Sequence, residues 1–202
     1  MRAILRRMTR PSLLYRLLAT VSFPVVYGIF RLDAVGTANV PEGGFVLAAN
    51  HVSNFDPWPL GLALYPRFLR FMAKAELFWW PLGLLVKAGG AFKVRRGMAD
   101  KDAIEAAVGL VKDGEIVVMF PEGTRQKKGL VKKFQPRAHT GAARIAWEAG
   151  APLVPAAIKG TDQLLRVAKL RVAFGEPIEA VEDVQATTER LMDEIRRLYD
   201  TL

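Results

Sequence analysis

Short apolar runs, each closed by a turn and set apart by helical patterns, constrain this chain more than any other feature. Phe45 to Ala49 and Ile116 to Phe120 read as buried strands, and Leu153 to Ile158 and Leu170 to Phe174 as two more. Arg67 to Ala73 alternates as a strand should. Further strands are expected near Phe30–Val35 and within Gly89–Gly97, the latter ending in the paired arginines Arg95 and Arg96. Between these runs, Lys101 to Lys112 is amphipathic, with Ile104, Ala107, Val108 and Val111 on one face, and Asp113-Gly114 stops it. Pro57 to Leu64, Thr140 to Ala149 and Glu182 to Leu202 also read as helices. Strands alternating with helices predict an α/β fold with a mixed, largely parallel central sheet flanked by helices on both faces. The 202 residues suffice for one such domain, expected over residues 31–202. There is no internal repeat and no low-complexity segment.

Composition excludes several chemistries. With no cysteine, disulfides and thiolate metal ligands are ruled out. His51 and His139 are the only histidines, so a histidine-rich metal site is not expected. Serine occurs only at positions 12, 22 and 53, and no Gly-x-Ser-x-Gly elbow is present. The net charge of +9, from 29 basic and 20 acidic residues, calls for an anionic partner: a membrane surface, nucleic acid or a phosphorylated substrate. No nucleic-acid-binding motif accompanies it, so nucleic acid is not expected.

The positive charge is segregated. No acidic residue precedes Asp33, and none lies between Glu122 and Glu148. In residues 1–30, Arg2, Arg6 and Arg10 share one helical face, and Leu5, Leu13, Leu14, Leu17 and Leu18 add apolar surface. The charge-free stretch Leu17 to Phe30, interrupted by Pro24, is shorter than the roughly 20 residues a bilayer span requires. One or two interfacial helices that anchor the protein fit it, arginines on anionic headgroups and apolar side chains below them. A helix pair packed on the domain is the other reading. No small-x-small site follows Phe30, which speaks against a signal peptide. A second candidate membrane contact is Trp79-Trp80, inside the nearly charge-free run Phe78 to Val86, which equally suits a core.

Two turns carry the candidate chemistry, because sites in open α/β sheets gather at the carboxyl ends of strands. After Ala49 comes Asn50-His51-Val52-Ser53-Asn54-Phe55-Asp56-Pro57. A separation of five does not bring His51 and Asp56 together on one helix face. The segment therefore reads as a turn entering a helix, with Asp56 at the N-cap and Pro57 the first helical residue. Such a pair can be a base and its orienter, or a loop histidine beside a cap. After Phe120 comes Pro121-Glu122-Gly123-Thr124-Arg125. Arg96 and Lys74, near the ends of other strands, offer further cations for a phosphate.

Four segments, in order, resemble the glycerophospholipid acyltransferase family, of the 1-acyl-glycerol-3-phosphate acyltransferase type. Asn50 to Asp56 matches its His-x4-Asp block. Gly90-Ala91-Phe92-Lys93-Val94-Arg95-Arg96 is similar to the second block, with Lys93 where an apolar residue or proline is more usual. Phe120 to Arg125 matches the third in full, and Val154-Pro155-Ala156 is similar to the fourth. The resemblance spans residues 50 to 156 and implies transfer of an acyl chain from acyl-CoA or acyl carrier protein to the sn-2 hydroxyl of lysophosphatidic acid, with no cofactor. Other lysolipid acceptors, such as an amino-acid lipid, and glycerol-3-phosphate remain open, and a non-catalytic basic module that binds membrane or nucleic acid is the alternative from a different class. In that reading His51 is the general base and Asp56 its orienter. Glu122, Gly123, Thr124 and Arg125 bind substrate with Arg96 and Lys74. The enzyme is expected at the cytoplasmic face of the cell membrane, peripheral or monotopic.

Overall fold

The structure is a computed structural model, and it describes residues 11–74, 78–94, 100–123 and 138–202. Strand β2 (Phe45–Ala49) is the middle strand of a seven-stranded sheet, and every one of its residues is fully buried. Its side chains alternate between two cores. Phe45, Leu47 and Ala49 enter one; Val46 and Ala48 enter the other. A strand covered on both faces has no polar side, which is why this run carries no polar residue.

The remaining strands are β1 (Asp33–Val35), β3 (Leu69–Lys74), β4 (Ala91–Val94), β5 (Ile116–Met119), β6 (Leu153–Lys159) and β7 (Arg171–Phe174). Their spatial order is β1-β7-β6-β2-β5-β3-β4. β6, β2, β5, β3 and β4 are mutually parallel. β7 runs antiparallel to β6, and β1 pairs parallel to β7. The sheet is thus mixed and largely parallel, as expected. Its topology brings the carboxyl ends of β2, β5, β6, β3 and β4 to one edge.

Helices cover both faces. On one lie α1 (Leu13–Phe23), the π-helical stretch Pro24–Ile29 that continues it, and α2 (Pro57–Ala63), contributing Ala19, Val26, Leu60 and Leu62 to the core. On the other lie α4 (Asp100–Lys112), α5 (Gly141–Ala149) and α6 (Val184–Thr201), through residues such as Val111, Ile145 and Leu191. The start and stop signals follow local chemistry. Asp183 accepts from the N–H groups of Gln185 and Ala186 to open α6, and Gly150 closes α5 at φ +62°.

One local expectation is corrected, and two elements appear for which the sequence carried no expectation. The strand expected near Phe30–Val35 is only Asp33–Val35, because Pro24–Ile29 stays helical and Phe30 N–H closes it on Val25 O. A short helix, α3 (Leu82–Ala88), begins inside the run 78–86 and ends two residues beyond it; no periodicity announces it. A 3-10 turn at Thr161–Arg166 follows β6 directly. No helix among the described residues is long and apolar enough to cross a membrane.

Leu47 sits at the centre of this arrangement. Leu47→Ala is expected to lower unfolding free energy by about 2–5 kcal/mol through lost transfer energy and an unfilled cavity, read from the midpoint of a urea titration.

Candidate functional site

The turn after β2 is built around one carboxylate. Asp56 is 0% exposed, and a buried carboxylate is tolerated only when hydrogen-bonded. Its Oδ2 accepts from Val52 N–H at 2.8 Å and Ser53 N–H at 2.9 Å, and lies 2.7 Å from His51 Nδ1. Its Oδ1 accepts from the Thr161 hydroxyl at 2.5 Å. Asp56 does occupy the position before α2, and Pro57 does begin the helix. The carboxylate does not cap it, however; no side-chain bond reaches the helix N–H groups. The backbone at Asp56 is already helical, so its side chain turns back onto the preceding loop instead.

His51 is held on two sides. A carboxylate can only accept, so Nδ1 carries the proton and Nε2 is the nitrogen left for a substrate. The ring stacks on Phe120, centroids 4.3 Å apart and planes inclined by 20°. Its side chain remains 18% exposed. The imidazole is therefore fixed in direction and keeps part of its surface at solvent.

Phe120 places the second turn beside the first. Gly123 N–H bonds to Phe120 O at 3.0 Å, and His139 N–H bonds to Pro121 O at 2.8 Å. Gly123 adopts φ +65°, and a Cβ there would lie 2.5 Å from two atoms of the His139 ring. Glycine is required on both counts. Glu122 is buried within this turn. Lys74 ends β3 at the same edge of the sheet. Arg96, Thr124 and Arg125 lie outside the described residues, as do Arg2, Arg6 and Arg10.

Sequence reasoning missed two contributors. Thr161 is one, brought in by the parallel pairing of β6 with β2. Asn50 is the other. Its side chain accepts from Ile158 N–H at 2.7 Å and donates to Ile158 O at 3.0 Å, imitating a further rung between β2 and β6. Asn50 lay inside a recognised block, but only the order of the strands shows what its amide serves.

A family model described as Acyltransferase matches residues 31–159. A 1-acyl-sn-glycerol-3-phosphate acyltransferase of Bacillus subtilis is 35% identical over 178 residues, covering 81% of this chain and 86% of the relative. The chain belongs to the acyltransferase family. A chloroplastic 1-acyl-sn-glycerol-3-phosphate acyltransferase of Brassica napus is 31% identical over 69% of this chain, which spans 40% of that longer protein. The crystal structure of the 1-acyl-sn-glycerophosphate acyltransferase PlsC from Thermotoga maritima superposes with a TM-score of 0.70 at 25% identity, covering 91% of this chain and 76% of that one.

Within this acyltransferase, Asn50 is expected to act on stability. Asn50→Ala leaves the buried N–H and C=O of Ile158 without partners, at a cost of about 1–3 kcal/mol each. Urea denaturation of the variant checks this, with a midpoint close to wild type as the contrary result.

Proposed function

We propose that this protein transfers a fatty acyl chain from a thioester donor, acyl-CoA or acyl carrier protein, to the sn-2 hydroxyl of lysophosphatidic acid, giving phosphatidic acid. The observation that carries this reading is the 2.7 Å contact of His51 with buried Asp56, at the sheet edge reached also by the Phe120–Gly123 turn. The names of the relatives supply the acceptor.

In this reading the acceptor hydroxyl gives its proton to His51 Nε2 as its oxygen attacks the thioester carbonyl carbon. The tetrahedral intermediate collapses with cleavage of the C–S bond. The thiolate leaves and takes up the proton held by the imidazolium, which restores the base and releases a thiol. Asp56 faces the imidazolium while it exists and stabilises it. No nucleophile of the enzyme is needed, which suits a chain without cysteine. Arg125, Arg96 and Lys74 would bind the acceptor phosphate, fixing the hydroxyl before it reacts. Glu122, Gly123 and Thr124 would shape the turn that carries Arg125.

The substrates are lipids, and the face of the sheet that bears α1 supports a membrane-bound position. Leu13, Leu17 and Val21, spaced by four, point outward from α1, with Leu13 84% exposed. Trp79, Trp80, Leu84 and Leu85 are exposed as well, on a segment whose Phe78 and Val86 pack into the core of that same face. Large apolar side chains exposed on one face in this way suit lipid or protein contact. We place residues 1–30 as the anchoring segment, its arginines on anionic headgroups, and the enzyme as peripheral or monotopic at the cytoplasmic face.

Two experiments test this. His51→Ala is expected to lower turnover about 10²–10⁴-fold, the usual contribution of a general base, without releasing the protein from vesicles. The assay uses a panel of lysolipid acceptors and glycerol-3-phosphate with both donor types; turnover on another acceptor, and none on lysophosphatidic acid, overturns the assignment. The paired substitution Leu13→Asp with Leu17→Asp is expected to cut partitioning onto phosphatidylglycerol vesicles by about tenfold or more, measured by sedimentation, since each side chain withdrawn from an apolar phase is worth about 1.5–3 kcal/mol. Unchanged sedimentation rules out α1 as the anchor.

A further inference from the structure

The carboxylate of Asp56 has a donor that none of the four recognised blocks supplies. Thr161 stands 105 positions away in the chain, in the turn after β6, and is 2% exposed. Its hydroxyl proton goes to Asp56 Oδ1, while the three donors from residues 51 to 53 all converge on Oδ2. The turn is built to deliver it. Gly160 adopts φ +96°, and a Cβ there would lie 2.4 Å from Lys169 O, so only glycine lets the chain pass at that point. Two residues earlier, Ile158 is fastened to Asn50 by both its backbone groups. The end of β6 is therefore tied to the loop after β2 on both sides of Gly160.

Three donors on one oxygen fix the position of that oxygen and leave the carboxylate free to swing about it. A fourth bond, on the other oxygen, fixes the plane of the group. The plane sets the direction of the lone pair facing His51 Nδ1, and so the direction in which Nε2 points. We propose that Thr161 is a positioning residue for acyl transfer, acting through Asp56 to aim His51 at the acceptor hydroxyl. This rests on reading His51 and Asp56 as base and orienter. A purely structural hydroxyl, satisfying a buried oxygen and nothing more, is the alternative that the test must separate.

Thr161→Val keeps the shape of the side chain and removes its proton. With lysophosphatidic acid as acceptor, kcat is expected to fall about tenfold or more while KM stays within about twofold, the pattern of a lost transition-state interaction. Thr161→Ser retains the hydroxyl and is expected to stay within about threefold of wild type. In an Asp56→Asn background the valine change is expected to cause no further loss, because its route to His51 has already been altered. A variant with lowered stability in urea but unchanged kcat overturns the proposal, and so do losses that multiply between Thr161→Val and Asp56→Asn. Should the valine protein not fold, Thr161→Ala compared with Thr161→Ser carries the same test. His51→Ala is the control: full activity in that variant removes the base itself, and the inference falls with the reading beneath it.

Discussion

A carboxylate sealed from solvent organises the carboxyl edge of the sheet in this acyltransferase. Buried without partners, the ionised group at position 56 would cost several kcal/mol. It is instead met by two backbone N–H groups, an imidazole and a hydroxyl. Each of these donors is constrained in return. The backbone N–H groups of Val52 and Ser53 wind the loop tightly after β2, and the imidazole is held with Nε2 available. The hydroxyl of Thr161 ties in a strand more than a hundred residues further along the chain. An arrangement of this sort is settled at folding.

Sheet order is what lets one side chain gather such distant parts. β2 lies between β6 and β5, all three parallel, so their carboxyl ends are neighbours. The loop after β5 gives Phe120, whose ring is a platform for His51; the turn after β6 gives Thr161. A crossover connection separates each of these strands in sequence, which is why the contributing residues are so dispersed. β1 and β7, parallel to each other and running opposite to β6, stand at its far side.

Much of this was legible in the chain and some was not, for identifiable reasons. Phe45–Ala49 could be placed to the residue because a doubly covered strand carries no polar side chain and a turn follows at once. His51 and Asp56 could be put on one turn because a five-residue spacing after a strand excludes a common helix face; their pairing came with the resemblance to the His-x4-Asp block. The role of Asp56 was half seen. Its position before Pro57 suggested a cap, but a side chain has one direction, and the loop donors took it. Arg70 shows another limit. Alternation in Arg67 to Ala73 implies a strand with a polar face, yet β3 lies between β5 and β4, and Arg70 is buried. Burial lowers its proton affinity and raises that of nearby Glu115, each partly offset by the other's charge. Local pattern gives a strand; only its neighbours give its environment. Thr161 and Asn50 were beyond reach for the same reason, since hydrogen bonds across parallel strands leave no periodic trace.

The two faces of the sheet differ in a way that bears on where the enzyme works. On the α4, α5 and α6 side, the outer surface of α6 carries charged residues joined in pairs such as Arg196–Asp193 and Arg197–Glu194, the ordinary wet face of an amphipathic helix. On the α1 side the polarity is reversed: α1 buries Ala19 and turns Leu13, Leu17 and Val21 outward. A helix does not gain in water from such an arrangement, because the outward leucines could be polar at no cost to the core. It does gain at an apolar phase, where each outward side chain adds to the free energy of attachment. The aromatic pair Trp79-Trp80, Trp80 being 79% exposed, belongs to a segment packed on the same face and favours the headgroup depth of a bilayer. An acceptor with its acyl chain in that phase and its phosphate above it would present a hydroxyl near the interface. On the proposed reading the site would sit at the rim of the face that bears α1, and the His51 side chain, 18% exposed, lies at an edge of this same sheet.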